Sequence, residues 1–303
     1  DITVSIGKLT PMRKLRCSTP RYDPGGGGVN VSRAIKELGG TSRAFIALAG
    51  ATGEQYREVL AAAGLDVEVW KFEGETRFSL TVMEESTGEH YRFVLPGPAQ
   101  DEAVAGDLLE AIARSVGGGG GFVVASGSLP PGLPADFFAR LTRRTRDLGA
   151  QLVLDTSGPA LRAALAERPY IVRMNHIEAH ELAGGGEDTP EAVEKLADRL
   201  LARGAAEIVI IALGAEGSFV ATEGTRAHIR PPAVPVVSMV GAGDSSIGAT
   251  TLALARGWPL IEACAFGVAA AASAVTTEAT QLCRRPETER YFRQIVASIA
   301  SHT

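Results

Sequence analysis

From Gly121 onward, short apolar runs rich in β-branched residues alternate with segments of helical spacing, at 122–125, 151–154 and 207–213 among others. Strands separated by helix-length connections build a parallel sheet through βαβ crossovers. Ile208, Val209, Ile210 and Ile211 follow one another with no polar residue between them, the pattern of a strand covered on both faces. The helix before this run is well marked. Thr189 can cap it, Pro190 suits its first turn, Val193, Leu196, Leu200 and Leu201 make one apolar stripe, and Gly204 ends it. The expected fold class is α/β, with a central, mostly parallel sheet flanked by helices.

Residues 67–95 read differently. The segments 78–83 and 91–94 bracket a turn at Thr87-Gly88, which predicts a β-hairpin. With residues 13–22, this region is expected to form a small antiparallel sheet projecting from the main layer as a lid or dimer face. No repeat or long linker divides the chain, so a single domain over 1–303 is expected. The net charge of -5 gives no broad attraction to nucleic acid or an anionic membrane, so an anion must be caught by a local site. The longest uncharged apolar stretch, 263–277, is shorter than the ~20 residues of a membrane span, and no secretory leader pattern opens the chain. Cys17, Cys264 and Cys283 have no C-x-x-C spacing and fit free thiols in a reducing compartment, so a cytoplasmic location is expected.

The 35 glycines matter through their clusters. Val240-Gly241-Ala242-Gly243-Asp244-Ser245 precedes a small-residue helical run. Glycines at a helix start expose backbone N–H groups which, with the helix dipole, make an anion hole fit for a phosphoryl group. Asp244 opposes such a ligand if the loop only binds anions, but makes sense if its carboxylate accepts a proton from an attacking hydroxyl. The alternative is an Asp cap on a helix whose glycines only permit close packing. Asp23-Pro24 and Gly25 to Gly28 lead into Val29-Asn30 and a helix, so backbone can approach a polyol and Asn30 can donate and accept toward its hydroxyls; the alternative is a flexible loop. The glycines at 117–121 and 184–186 read as plain connectors. Asn175 and Glu178, three apart, share one face if helical and either orient the water shell of Mg²⁺ or lie on a solvated surface. His176 and His180 have metal-ligand spacing, but Glu178 does not sit as in H-E-x-x-H. P-loop, G-x-G-x-x-G dinucleotide and G-x-S-x-G hydrolase signatures are absent from the sequence.

With G-G-G-G-V-N at 25–30, S-G-S-L-P-P-G at 126–132, N-x-x-E at 175–178 and V-G-A-G-D at 240–244, the chain resembles the ribokinase (PfkB-type) family of carbohydrate kinases. Order and spacing match over nearly its whole length. Within that family, K-L-R-C at 14–17, Y-R-F-V-L-P-G at 91–97 and L-C at 282–283 are most similar to the minor bacterial ATP-dependent 6-phosphofructokinase branch. The resemblance implies a ribokinase-like sheet with a small β-sheet lid that often forms a homodimer. It also implies transfer of the ATP γ-phosphoryl group to a sugar hydroxyl, here of fructose 6-phosphate. Asp244 would be the base, and Gly241, Ala242 and Gly243 the anion hole. Asp1, Gly25, Gly26, Asn30 and Ser128 would hold the sugar. Lys14 and Arg77 would take its phosphate, with Arg16 and Arg92 as a second pair. Asn175 and Glu178 would organise Mg²⁺, through water at Glu178, and the ATP phosphates. Arg173 would join them, and Gly214 and Gly217 would line the nucleotide groove. A monovalent cation, K⁺, near the carbonyls of Ser238 and Val240 follows by analogy. Isomeric sugar phosphates share most contacts, so 1-phosphofructokinase or tagatose 6-phosphate kinase activity stays open. A non-catalytic sensor is the remote alternative.

The chain departs from the family pattern in two places. Arg173-Met174 stands where the branch often has Lys-Pro, which keeps the charge but changes reach and donor geometry. The family's first core strand normally precedes the sugar-binding Asp, whereas this chain begins at that Asp, so a native N-terminal strand is expected to be missing.

Overall fold

In the computed structural model, which describes residues 1–185, 189–278 and 280–300, the alternation of the sequence becomes sheets packed between helices. The chain starts with β1 (Ile2–Ile6), β2 (Arg21–Tyr22) and α1 (Gly27–Glu37), followed by β3 (Arg43–Leu48), α2 (Gly50–Ala62) and β4 (Asp66–Lys71). The hairpin of β5 (Ser79–Glu84) and β6 (His90–Val94) leads to α3 (Glu102–Val116), β7 (Gly121–Ser126), α4 (Phe137–Asp147), β8 (Ala150–Asp155) and α5 (Gly158–Ala164). Next come β9 (Ile171–Asn175), α6 (His176–Ala183), α7 (Pro190–Ala202), β10 (Ile208–Ala212), β11 (Ser218–Ala221) and β12 (Arg226–Ile229). Helices α8 (Ala242–Ala255), α9 (Leu260–Ala274) and α10 (Arg285–Ala300) follow. Of the connector expected at 184–186, Gly186 lies outside the described residues.

The central sheet has the order β12-β11-β10-β9-β8-β7. Strands β7 to β10 are parallel, and β11 and β12 close one edge antiparallel. Successive residues of its middle strands enter opposite cores. Ile171, Ile208 and Ile210 pack with α1 and α8 to α10, whereas Val172, Val209 and Ile211 pack with α4, α5 and α7. That two-sided burial is why β10 carries no polar alternation. Strands β3 and β4 form a separate parallel pair, and α1 packs against both β3 and β7.

The small sheet, ordered β2-β1-β5-β6, is mixed rather than antiparallel, because β1 runs parallel to β5, and it differs in membership from the segments expected at 13–22 and 67–95. Only Arg21–Tyr22 of the first segment is a strand, and β4 belongs with β3 rather than with the hairpin. The cause is the crossover helix α2, which makes β3 and β4 parallel neighbours. The hairpin itself forms, with Gly88 donating to the Glu84 carbonyl at its turn. Register then sorts its faces, since partners directly opposite share a side. Val4 pairs with Val82, and Val82 and Leu80 pair with Tyr91 and Phe93, giving an apolar face. Thr3, Thr81 and Arg92 share the opposite face with Asp1.

Candidate active site

Parallel strands deliver their functional residues at their carboxyl ends. Ser126 ends β7 opposite Asp155 at the end of β8, which is paired in turn with Arg173 near the end of β9. Above them α8 starts at Ala242, with Gly241 in left-handed backbone (φ 75°) as its N-cap. Ala242, Gly243 and Asp244 occupy the first turn, where amides have no intrahelical acceptor. The Ala242 N–H reaches the Met239 carbonyl at 3.4 Å.

Asp244 is the centre of the site. Its Oδ2 accepts from Asn30 Nδ2 at 2.9 Å and its Oδ1 from the Ser126 hydroxyl at 3.0 Å. Two segments far apart in sequence, the start of α1 and the end of β7, thereby aim one carboxylate. Burial pushes that carboxyl above the ordinary aspartate range. The Asn30 and Ser126 hydrogen bonds and nearby Arg173 oppose the shift, while Asp155 adds to it. A carboxylate so held is a stronger proton acceptor than a free aspartate. Asn30 is fixed in turn by Arg33, whose Nη1 donates to Asn30 Oδ1 at 3.1 Å and to the Pro24 carbonyl at 2.9 Å.

Beside this carboxylate lies an ion pair. Arg173 Nη1 stands 3.2 Å from Asp155 Oδ2, with both side chains largely buried. The guanidinium occupies the space above Gly243: a Cβ there would fall 2.8 Å from Arg173 Nη1, so glycine is what lets the cation approach the helix start. Asp155 and Arg173 both act electrostatically on Glu178 as well as on Asp244, so the ion pair is coupled to both carboxyls. Asn175 and Glu178 do not share a helix face as the spacing suggested. Asn175 ends β9 and caps α6, accepting the Glu178 N–H at 2.9 Å, while Glu178 Oε2 accepts the Asn175 N–H at 2.8 Å. This reciprocal capping box stabilises the helix start. Burial raises the Glu178 carboxyl, and the Asn175 N–H counters it. Among the described residues no group of three or more His, Cys, Asp or Glu is placed to hold a metal ion, His176 and His180 included. Asp155 acts electrostatically on Glu178, so the two carboxyls are neighbours, and a pair of carboxylates with water and substrate phosphates is a set that fits Mg²⁺.

The other expected residues divide. The Asp1 side chain is nearly covered, its Oδ1 3.8 Å from an Arg92 Nη. Gly25 turns its N–H to Tyr56, not toward open space, and Gly26 (φ 98°) is the N-cap of α1. Lys14, Arg16 and Arg77 are exposed on the small-sheet side, and the Arg77 stem lies along Gly97. Ser128 is also exposed; the motif serine in contact with Asp244 is Ser126. Gly214 and Gly217 bound a single 3₁₀ turn, with the Gly217 N–H donating to the Gly214 carbonyl. Ser238 is buried, and its hydroxyl accepts the Val240 N–H at 3.2 Å. Sequence reasoning missed Ser126, Asp155 and Arg33. The available signal was position, since Ser126 and Asp155 are polar residues closing apolar strands and Arg33 lies one helical turn after Asn30.

Residues 3–288 match the pfkB family carbohydrate kinase profile. The ATP-dependent 6-phosphofructokinase isozyme 2 of Mycobacterium tuberculosis (strain H37Rv) is 39% identical over 292 residues, 96% of this chain and 86% of the relative. The crystal structure of phosphofructokinase-2 from Escherichia coli in complex with potassium superposes with a TM-score of 0.92 at 36% identity, covering 97% of this chain and 95% of that one. The same Escherichia coli protein in complex with fructose-6-phosphate gives a TM-score of 0.90 at 35% identity, with the same coverage.

Proposed function

Because this chain belongs to the pfkB family of carbohydrate kinases, phosphotransferases with an alcohol acceptor, we propose that it phosphorylates the 1-hydroxyl of fructose 6-phosphate with ATP. The carrying observation is Asp244, a partly buried carboxylate held by Asn30 and Ser126 at the amide-bearing start of α8. A hydroxyl laid against its oxygens can lose its proton as it attacks. The amides of Gly241 to Asp244, with the helix dipole, face the charge on the transferred phosphoryl group. Arg173, parked beside Gly243, supplies a cation to the same group. Asp1, Asn30 and the 25–28 backbone hold the sugar, with Ser128 at its edge, and Lys14, Arg16 and Arg77 receive its phosphate. Asp155 and Glu178 would hold Mg²⁺ through water, and Gly214 and Gly217 would line the nucleotide groove. When bound, the metal neutralises phosphate charge. Potassium near the Ser238 and Val240 carbonyls is supported by the similarity to the potassium-bound relative.

The fructose 6-phosphate reading draws on likeness to proteins named for that activity. A homodimer through the small sheet is part of the same reading. Tyr22, Tyr91 and Phe93 on its apolar face are 45%, 36% and 52% exposed, while the polar face carries Asp1 and Arg92. ADP release measured across fructose 6-phosphate, fructose 1-phosphate, tagatose 6-phosphate, ribose and adenosine tests the substrate. The highest kcat/KM is expected for fructose 6-phosphate. Turnover of only an unphosphorylated sugar or nucleoside would refute the sugar-phosphate reading.

A further inference from the structure

The loop bearing the sugar-site glycines is gripped by a residue outside every motif above. Tyr56 lies in the second turn of α2, its ring packed with Val29, Leu48 and Leu60. Its hydroxyl accepts the Gly25 N–H at 2.9 Å and donates to the Gly25 carbonyl. One phenol thus uses an acceptor and its only donor on the two polar groups of one residue. Gly25 cannot exchange this grip for a side chain of its own, because a Cβ would lie 2.5 Å from the Asp1 carboxylate. Glycine otherwise has the widest conformational freedom of any residue, so the position of this peptide depends on what holds it. Burial lifts the Tyr56 hydroxyl to about 12, which keeps the donor proton in place at neutral pH.

The first turn of α2 is tied to the root of the small sheet. The Glu75 carboxylate accepts from the amides of Ala51 and Thr52 and from the Thr52 hydroxyl at 3.2, 3.1 and 2.6 Å. The Thr76 hydroxyl bonds both the N–H and the carbonyl of Ala49, and the next residue is Arg77. Helix α2 therefore connects the peptide beneath Asp1 to the backbone that presents Arg77.

We propose that Tyr56 is a positioning residue for the sugar, clamping the Gly25 peptide so that Asp1 and Asn30 keep the spacing the sugar requires, in register with Arg77. This rests on the sugar-kinase reading. Tyr56→Phe keeps the ring in its apolar cluster and removes one oxygen. Hydrogen–deuterium exchange of the 21–30 peptide should quicken. The KM for fructose 6-phosphate should rise at least about fivefold, the scale of losing a buried hydrogen-bond partner, while kcat and the KM for ATP stay within about twofold. Unchanged exchange would overturn the clamp. Faster exchange with an unchanged sugar KM would overturn its role in sugar binding and leave a purely structural contact. If the unsubstituted enzyme turns over no sugar phosphate, the kinase reading fails and the sugar role with it, whereas the exchange rates still decide whether Tyr56 holds the loop.

Discussion

Asp244, Asp155 and Arg173 form an electrostatic set whose members answer for one another. Burial raises the Asp244 carboxyl, Asp155 adds to the rise and Arg173 reduces it. The acid limb of kcat/KM reports the base in the free enzyme. Activity requiring ionised Asp244 is lost as pH falls through its raised value, so the limb should lie above the range of a free aspartate. Removing the cation in Arg173→Met should move that limb to higher pH. Asp155→Asn should move it lower, because it deletes a negative neighbour and leaves Arg173 unpaired. Limbs that coincide in the three enzymes would show that the ion pair does not tune Asp244. Arg173 is also where this chain departs from the Lys-Pro of its resembled branch. A forked guanidinium can hold Asp155 while lying over Gly243, a geometry that a lysine ammonium reproduces less well.

At the scale of elements, the period of two in the small sheet separates its duties. Asp1 and Arg92 lie on one face, and Val4, Val82, Tyr91 and Phe93 on the other, because the register places them so. An apolar face with exposed aromatics suits a second copy of the chain. Phe93→Glu should convert a dimer to a monomer in sedimentation equilibrium, and an unchanged mass would place the interface elsewhere. Elements also explain where the sequence was hard to read. The runs that became β7, β8 and β10 were plain because their residues are buried on both sides. The strand β4 lies within the 67–95 region expected for the lid, and nothing local in the sequence announces that α2 carries it back beside β3. The three-residue spacing of Asn175 and Glu178 is that of a helix face and equally that of a capping box, the form it takes here.

Across the whole molecule, the site was legible wherever one short segment carries it and obscure wherever the fold assembles it. The glycine run before Asp244 announced a helix start. Asn30 was legible beside its glycines. That these two residues meet was not, since 214 positions separate them. Ser126, Asp155 and Arg33 join them only because parallel strands end at one edge and α1 begins above that edge. The central claim, that a base at the start of α8 drives phosphoryl transfer, concerns this assembled centre. Asp244→Asn preserves shape and leaves groups that Asn30 and Ser126 can still bond. Because the native carboxyl holds its proton more tightly than the unfolded one, its contribution to stability is fullest below the ordinary aspartate range and declines as pH rises through the raised value. At neutral pH the substitution should therefore leave the melting temperature unchanged or higher. The decisive measurement is the rate of ADP formation by this variant with saturating ATP and fructose 6-phosphate, alongside calorimetric binding of the sugar phosphate. The account predicts binding close to that of the unsubstituted enzyme and a rate lower by at least about a hundredfold, the scale of a lost general base. A folded Asp244→Asn enzyme that turns over at a near-normal rate would contradict it.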